Sequence, residues 1–298
     1  MIMGVLIAGP TASGKSHLAM RLAERLGGTI VNADSMQVYR DLRVLTARPG
    51  AADEAALPHR LYGHVDGAAA YSVARWLGEA ADAIAAVRAE GRVPIVVGGT
   101  GLYLAALTQG LSTMPPVPDE VRTRWRAAQA THDAPALHAM LVARDPEMAA
   151  RLRPSDPQRI VRALEVVDAT GRSLAAWQAQ KSPPVLPVRP GVPAYVVAPP
   201  RDLLRRRIAE RFALMVEEGG AGEAAALAAR ALDPALPVMK AIGVAELAAA
   251  ARGEMSLEAA AAAAVTATRQ YAKRQDTWFR HRFAGWQRLA PGEMPALP

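Results

Sequence analysis

Residues 9–16 read GPTASGKS, a complete match to the pattern G-x-x-x-x-G-K-[ST]. The match lies between a short apolar run, Val5–Ala8, and a stretch in which Leu18, Ala19, Leu22, Ala23 and Leu26 recur at helical spacing. No other feature of the chain constrains its fold as tightly. The motif works where a buried strand turns sharply into a helix, so that successive backbone N–H groups and the positive end of the helix point at one anion. Gly9, Pro10, Thr11, Ala12, Ser13, Gly14, Lys15 and Ser16 therefore form a candidate phosphate loop. Lys15 supplies a point charge and the Ser16 hydroxyl a ligand for Mg2+.

Further brief apolar runs at Thr29–Asn32, Pro94–Val97 and Tyr195–Ala198 adjoin Gly, Pro or Asp and read as strands buried on both faces. Helical periods separate them, as at Ser72–Arg88. Such alternation predicts an α/β fold, a P-loop NTPase-like parallel sheet with covering helices. The alternation then lapses. MPPVP at 114–118 is a stiff punctuation, and the residues after it, up to about Lys181, read as helices only. A second proline-rich stretch, Ser182–Pro193, precedes the return of strand character. The pattern predicts an all-helical insertion domain at 114–189 inside a discontinuous core of 1–113 and 190–298. From Arg201 onward the chain reads as helix, its alanine-rich stretches reporting helix propensity.

A chain of 298 residues can bury one large core and carry a smaller unit besides. Its 35 Lys and Arg against 28 Asp and Glu, net +7, favour a polyanionic partner. Cysteine is absent, which rules out disulfides and thiolate metal sites. The first apolar run has no basic segment before it, and no window approaches the ~20 apolar residues that span a bilayer. A cytoplasmic protein with no membrane attachment is expected.

Asp34 and Thr100 stand just past predicted strand ends, where open α/β sheets bind ligands. By position alone, Asp34 reads as a turn or cap carboxylate, a metal ligand or a base, and Thr100 as a turn residue or a ligand-facing hydroxyl. The phosphate loop also leaves its phosphorylated compound open. A kinase is one reading, although the strand at 94–97 runs into Gly98-Gly99-Thr100 and not into the carboxylate such enzymes use for magnesium.

Eight blocks spread over almost the whole chain carry more. They are GPTASGKS at 9–16, NADSMQVYRDL at 32–42, TARP at 46–49, PHRLYGHVD at 58–66, VVGGTGLYL at 96–104, DPQRIVRALEV at 156–166, RIAERF at 207–212 and TRQYAKRQDTWFR at 268–280. In order and spacing this set resembles the tRNA dimethylallyltransferases. The resemblance implies transfer of a dimethylallyl group from dimethylallyl diphosphate to N6 of the adenosine 3′-adjacent to the anticodon, with release of diphosphate. It makes residues 9–16 a diphosphate site with Mg2+ on Ser16. Asp34 becomes the base that accepts the N6 proton, Thr100 a holder of the adenine and the carboxylate, and Arg211 a catalytic diphosphate ligand. The tRNA contacts it implies are Asp34, Ser35, Met36, Gln37, Thr100, Arg122, Gln158, Arg159, Ile160, Val161 and Arg162. A monomer is expected, its insertion contacting the anticodon stem-loop.

Near the C-terminus, Arg269, Lys273, Arg274, Arg280 and Arg282 surround one acid, Asp276, with Tyr271, Trp278 and Phe279 interleaved. That mixture suits a single-stranded RNA loop, or, for the aromatics, a helix packed into the core. Met36 and Tyr39 likewise suit an apolar pocket or the core. Three places depart from the family: residues 241–245 are AIGVA where relatives often carry an aromatic and a basic residue, Ser16 stands where many have Thr, and Asp276 replaces a usually apolar residue. Rival readings, a small-molecule kinase and an isoprenyltransferase for free adenine nucleotides, find no use for the insertion and its Gln158-Arg159 pair.

Overall fold

β1 (Val5–Ala8) lies inside the sheet of the computed structural model, which describes residues 1–297. Its partners are β2 (Gly28–Asn32), β3 (His59–Arg60), β4 (Val93–Gly98), β5 (Ala194–Val197) and β6 (Gln287–Leu289). Among the described residues these strands form one six-stranded sheet in the order β3-β2-β4-β1-β5-β6, every pair parallel. Chain order reverses beside β1, since β4 lies on one side of it and β5 on the other. Ala8 pairs with Gly98 and Val196, and Asn32 with Val97, so the strands end close to level. The residues that follow them share one rim, which is where a crevice for ligands opens in sheets of this kind.

Both faces of the sheet are buried, which is why its inner strands read as continuous apolar runs. Val5, Ile7, Ile30, Ile95 and Val97 pack against Leu18, Ala19, Leu22 and Ala23 of α1 (Lys15–Leu26). The alternate residues Leu6, Val31, Val96 and Val196 belong to a second cluster. It includes Trp76 and Ile84 of α3 (Val73–Ala89) and Leu104 and Leu107 of α4 (Gly101–Gln109). Ser72, the first residue of the predicted helix, instead caps α3, its hydroxyl accepting the Arg75 N–H at 3.2 Å. A short α2 (Ala51–Ala56) precedes β3. β3 and β6 lie outside the strands that the sequence predicts: their sequences, His-Arg and Gln-Arg-Leu, are short and polar because each lies at an edge.

The chain divides into two compact units, Met1–Thr108 with Val185–Pro298, and Gln109–Pro184. The second unit therefore runs over 109–184 where the sequence suggests 114–189. The first proline run does not mark its edge, because Met114 and Val117 pack into the unit's own core. Its ends are tied where the Ser182 N–H donates to the Leu111 carbonyl at 2.8 Å and Ser112 bridges to Lys181. On the first unit's side, the N–H groups of Val185 and Leu186 both donate to the Leu107 carbonyl at 3.0 Å.

The second unit is helical: α5 (Asp119–Thr131), α6 (Ala134–Arg144), α7 (Pro146–Ala149), α8 (Pro157–Thr170) and α9 (Leu174–Ala179). Asp133, Asp145, Asp156 and Ser173 cap four of these through side-chain oxygens. Trp125, Leu137, Leu141, Ile160 and Leu164 form its core.

In the first unit β5 is followed by α10 (Arg201–Glu217), α11 (Gly220–Ala229), a 3-10 turn (Pro237–Lys240), α12 (Val244–Ala251) and α13 (Leu257–Arg282). α10 buries Leu204, Ile208, Phe212 and Met215 at helical spacing. α13 buries Ala260, Ala264, Thr268, Ala272, Gln275 and Phe279. Among the described residues no helix is long and apolar enough to cross a membrane.

Candidate active site

The phosphate loop leaves β1 at Gly9 and enters α1 at Lys15, as the motif requires, with Gly14 at φ 94° before the helix. Its shape is held from outside. The Thr11 N–H donates to Gln275 Oε1 at 2.9 Å, Arg211 donates to the Thr11 hydroxyl, and Arg207 reaches the Ser13 carbonyl at 3.4 Å. Among the described residues Lys15 Nζ donates only to the Pro10 carbonyl, at 3.4 Å, so most of its donor capacity is unspent.

Asp34 sits one residue past Ala33, at the end of β2. The Asn32 side chain accepts the Asp34 N–H at 2.8 Å and donates to the carbonyls of Asp34 and Leu61, each at 3.0 Å. Asp34 Oδ1 accepts the Met36 N–H at 3.0 Å, the turn role that position alone suggests. Among the described residues nothing donates to Oδ2, which leaves that oxygen free for chemistry. Thr100 is committed differently: its Oγ1 accepts the Ser35 N–H at 2.9 Å and donates to the Ser35 hydroxyl at 3.2 Å. It braces the turn that carries Asp34. Gly98 permits the approach, since a Cβ there would lie 2.0 Å from the Ala33 carbonyl oxygen.

Two cavities of the first unit share Arg211. One, of about 590 Å³, is lined by Ala12 to His17 of the phosphate loop, Arg207 and Glu210. The other, of about 390 Å³, has Thr11, Asp34 and Ser35 in its wall and Met36, Leu45, Ile208, Phe212, Met215 and Ile242 as apolar lining. Thr46, Lys240, Ala241, Thr268, Tyr271 and Arg274 complete it. Burial lowers the Lys15 pKa to about 8; the Asp34 charge opposes the shift and Arg211 adds to it. Burial likewise lowers Arg211, again against Asp34, and raises the Tyr271 phenol, with Asp34 adding. Two cations are thus held in surroundings that disfavour their charge, both lining the phosphate-loop cavity, and Arg211 also lines the cavity that holds Asp34. A bound polyanion would relieve both.

A family model described as IPP transferase matches residues 37–282, and one described as isopentenyl transferase matches residues 3–64. A tRNA dimethylallyltransferase of Rhodopseudomonas palustris is 56% identical over 293 residues, covering 98% of this chain and 91% of its own. The chain belongs to the tRNA dimethylallyltransferase family. A relative of the same name from Azorhizobium caulinodans is 55% identical over 289 residues, 97% of this chain and 92% of its own. Among solved structures, the full-length tRNA isopentenylpyrophosphate transferase of Bacillus halodurans superposes with a TM-score of 0.68 at 33% identity, covering 98% of this chain and 90% of that one. A eukaryotic dimethylallyltransferase acting on tRNA gives a TM-score of 0.80 at 27% identity, covering 98% and 74%.

Within this family member the predicted phosphate-loop residues, Asp34, Ser35, Met36 and Arg211 line the two cavities or adjoin them. The Gln37 amide is partly spent, its Nε2 donating to the carbonyls of Thr46 and Ala47 at 2.8 and 3.0 Å, which leaves Oε1. In the second unit Gln158 and Arg159 open α8 exposed. Arg162 pairs with Glu165 at 3.0 Å and Arg122 with Asp119 at 3.5 Å. Ile160 and Val161 are core residues, 0% and 5% exposed, so their side chains are not available to RNA. Tyr39 and Phe279 are buried in the core, and Trp278 packs over Gly101. Asp276 pairs with Arg280 and Arg288 at 3.1 and 3.2 Å, so an acid in this helix is compatible with its packing.

The sequence pointed to no site role for Leu45, Thr46, Ile208, Phe212, Met215, Thr268 or Gln275, and gave none to Lys240, Ala241 and Ile242 in or beside the atypical block. One signal was available for Gln275: a glutamine at a position of α13 whose helical neighbours are buried.

Proposed function

We propose that this chain transfers a dimethylallyl group from dimethylallyl diphosphate to N6 of the adenosine 3′-adjacent to the anticodon of tRNA. The observation that carries the reading is an apolar cavity with Asp34 in its wall that shares the desolvated Arg211 with the phosphate-loop cavity, where the desolvated Lys15 lies. The kinase reading does not account for the apolar lining.

The N6 amine of adenine shares its lone pair with the ring and becomes nucleophilic as it loses a proton. Asp34 takes that proton while nitrogen bonds to the allylic carbon and the carbon–oxygen bond to diphosphate breaks. Lys15, Arg211 and the loop N–H groups hold the departing diphosphate, whose growing negative charge they stabilise. Thr100 and Ser35 keep the Asp34 turn in place.

Among the described residues no group of three or more His, Asp or Glu could cage a metal. A single hydroxyl beside a phosphate site fits Mg2+, which is held by few protein groups together with substrate phosphates and water. Ser16, on the phosphate-loop cavity, would hold it. Bound there, the ion would neutralise charge on the diphosphate. Gln158, Arg159, Arg162 and Arg122 are the residues of the second unit that would meet the anticodon stem-loop. The base must leave its stack to reach Asp34. One chain carries the whole residue set, which favours a monomer, and tRNA as acceptor favours the cytoplasm.

The test is incubation of purified protein with unmodified tRNA, Mg2+ and dimethylallyl diphosphate, followed by nucleoside mass analysis. Isopentenyladenosine should appear. Asp34→Asn, which retains an acceptor for the Met36 N–H, should lower turnover by about 10²–10⁴-fold and leave tRNA affinity nearly unchanged. Product absent from folded wild-type protein that instead turns over ATP or alkylates free AMP would replace this reading.

A further inference from the structure

Glu223, in the first turn of α11, lines neither of these cavities, yet its carboxylate accepts three consecutive backbone N–H groups. They are those of Arg43, of Val44 at 3.0 Å and of Leu45 at 2.8 Å. The segment from Leu42 to Pro49 is irregular, so these N–H groups have no ladder to join. Successive N–H groups turned to one side make an anion-binding concavity, here filled by a side chain distant in sequence. The carbonyls of the same segment are answered by Gln37 and by the Thr46 hydroxyl, which donates to the Leu42 carbonyl at 2.9 Å. Leu45 and Thr46, held in this way, are wall residues of the cavity that Asp34 lines.

α11 fixes the adjoining wall too. A Cβ on Gly220 would stand 2.6 Å from the Met215 carbonyl oxygen and 2.9 Å from Leu45 Cδ2. Glycine at the start of α11 therefore lets Leu45 and Met215, both cavity residues, close on one another.

We propose that Glu223 is a positioning residue that sets the apolar end of the cavity through Leu45 and Thr46, and so restricts the donor to a short prenyl tail. The inference rests on the donor assigned above. Without the carboxylate the three N–H groups lose their common partner, the segment loosens, and Leu45 no longer closes the pocket to a longer chain.

The experiment compares wild type, Glu223→Ala and Glu223→Gln with dimethylallyl and geranyl diphosphate at saturating tRNA, alongside melting temperature. Glu223→Ala should raise KM for dimethylallyl diphosphate and shift the geranyl-to-dimethylallyl ratio of kcat/KM upward by about tenfold or more, the scale of discrimination a hydrophobic pocket exerts. Glu223→Gln, which keeps one strong acceptor oxygen, should fall between. A folded Glu223→Ala whose ratio matches wild type overturns the proposal; if that variant does not fold, an unchanged ratio in Glu223→Gln does so. Wild-type protein inactive with dimethylallyl diphosphate would instead defeat the donor reading, a separate result.

Discussion

Lys15 is a cation in surroundings that disfavour its charge, and that has consequences for both stability and binding. Its pKa falls from an ordinary 10.5 to about 8, first through burial, with Arg211 adding and Asp34 opposing. Because the folded value lies below the unfolded one, the unfolded chain binds the proton more tightly between about 8 and 10.5, and stability rises with pH across that window. Below about 8 the charged ammonium is a standing cost to the fold. Lys15→Met should therefore melt above wild type at pH 7, with the gap narrowing as pH rises through the window, while affinity for dimethylallyl diphosphate collapses. In wild type, donor affinity should weaken as pH rises past about 8 and free Lys15 loses its proton. Calorimetric melts and donor titrations at pH 7, 8.5 and 10 check both arms. A Lys15→Met protein less stable than wild type at pH 7 would mean that contacts of the side chain outweigh the burial of its charge.

At the scale of elements, α13 joins two parts of the site through one amide. Gln275 Oε1 accepts the Thr11 N–H at 2.9 Å and its Nε2 donates to the Gly99 carbonyl at 2.8 Å, so the phosphate loop and the end of β4 share a partner. Gln275→Leu, similar in volume, leaves an N–H and a C=O unpaired, at roughly 1–3 kcal/mol each. The variant should melt several degrees lower and show a raised KM for the donor. Gln275→Glu retains the acceptor for Thr11 and should move KM less than Gln275→Leu does. A KM for Gln275→Leu equal to that of wild type would separate this amide from donor binding. Much of the sheet was legible because its inner strands are apolar on both faces and each ends in a recognisable turn. β3 and β6 were not, since an edge strand needs little apolar sequence. The limits of the second unit were displaced because proline marks stiffness, whereas the boundary is set by the hydrogen bonds between Leu111 and Ser182. In the site, the place of Lys15 was legible from a motif, whereas the strand-end position of Asp34 left a turn carboxylate, a metal ligand and a base open, and only the family resemblance pointed to the base. The wall made by Leu45 and Thr46 was not, because it exists only through a carboxylate 178 residues away from Leu45.

At the scale of the molecule, a net charge of +7 is spread over both units, and RNA binding by such a surface is governed by counterion release. Arg159, with 75% of its side chain exposed and only a 3.4 Å pairing with Asp156, is available to a phosphate in the second unit. Lys273 of α13 forms no ion pair among the described residues and lines a groove of the first unit that also holds Arg269, Arg280 and the one acid Asp276. If each meets one phosphate, Arg159→Ala and Lys273→Ala should each flatten the dependence of log affinity on log salt by about one, with turnover at saturating tRNA preserved. Two contacts with no shared partner should also add: the double variant should lose the sum of the two free energies to within about 0.5 kcal/mol. Filter-binding titrations of unmodified tRNA across a salt series read both quantities. Additive losses with both slopes reduced would mean that both units hold the RNA backbone at once. A slope that moves only for Lys273→Ala would place Lys273 on the RNA backbone and leave Arg159 no role in phosphate binding.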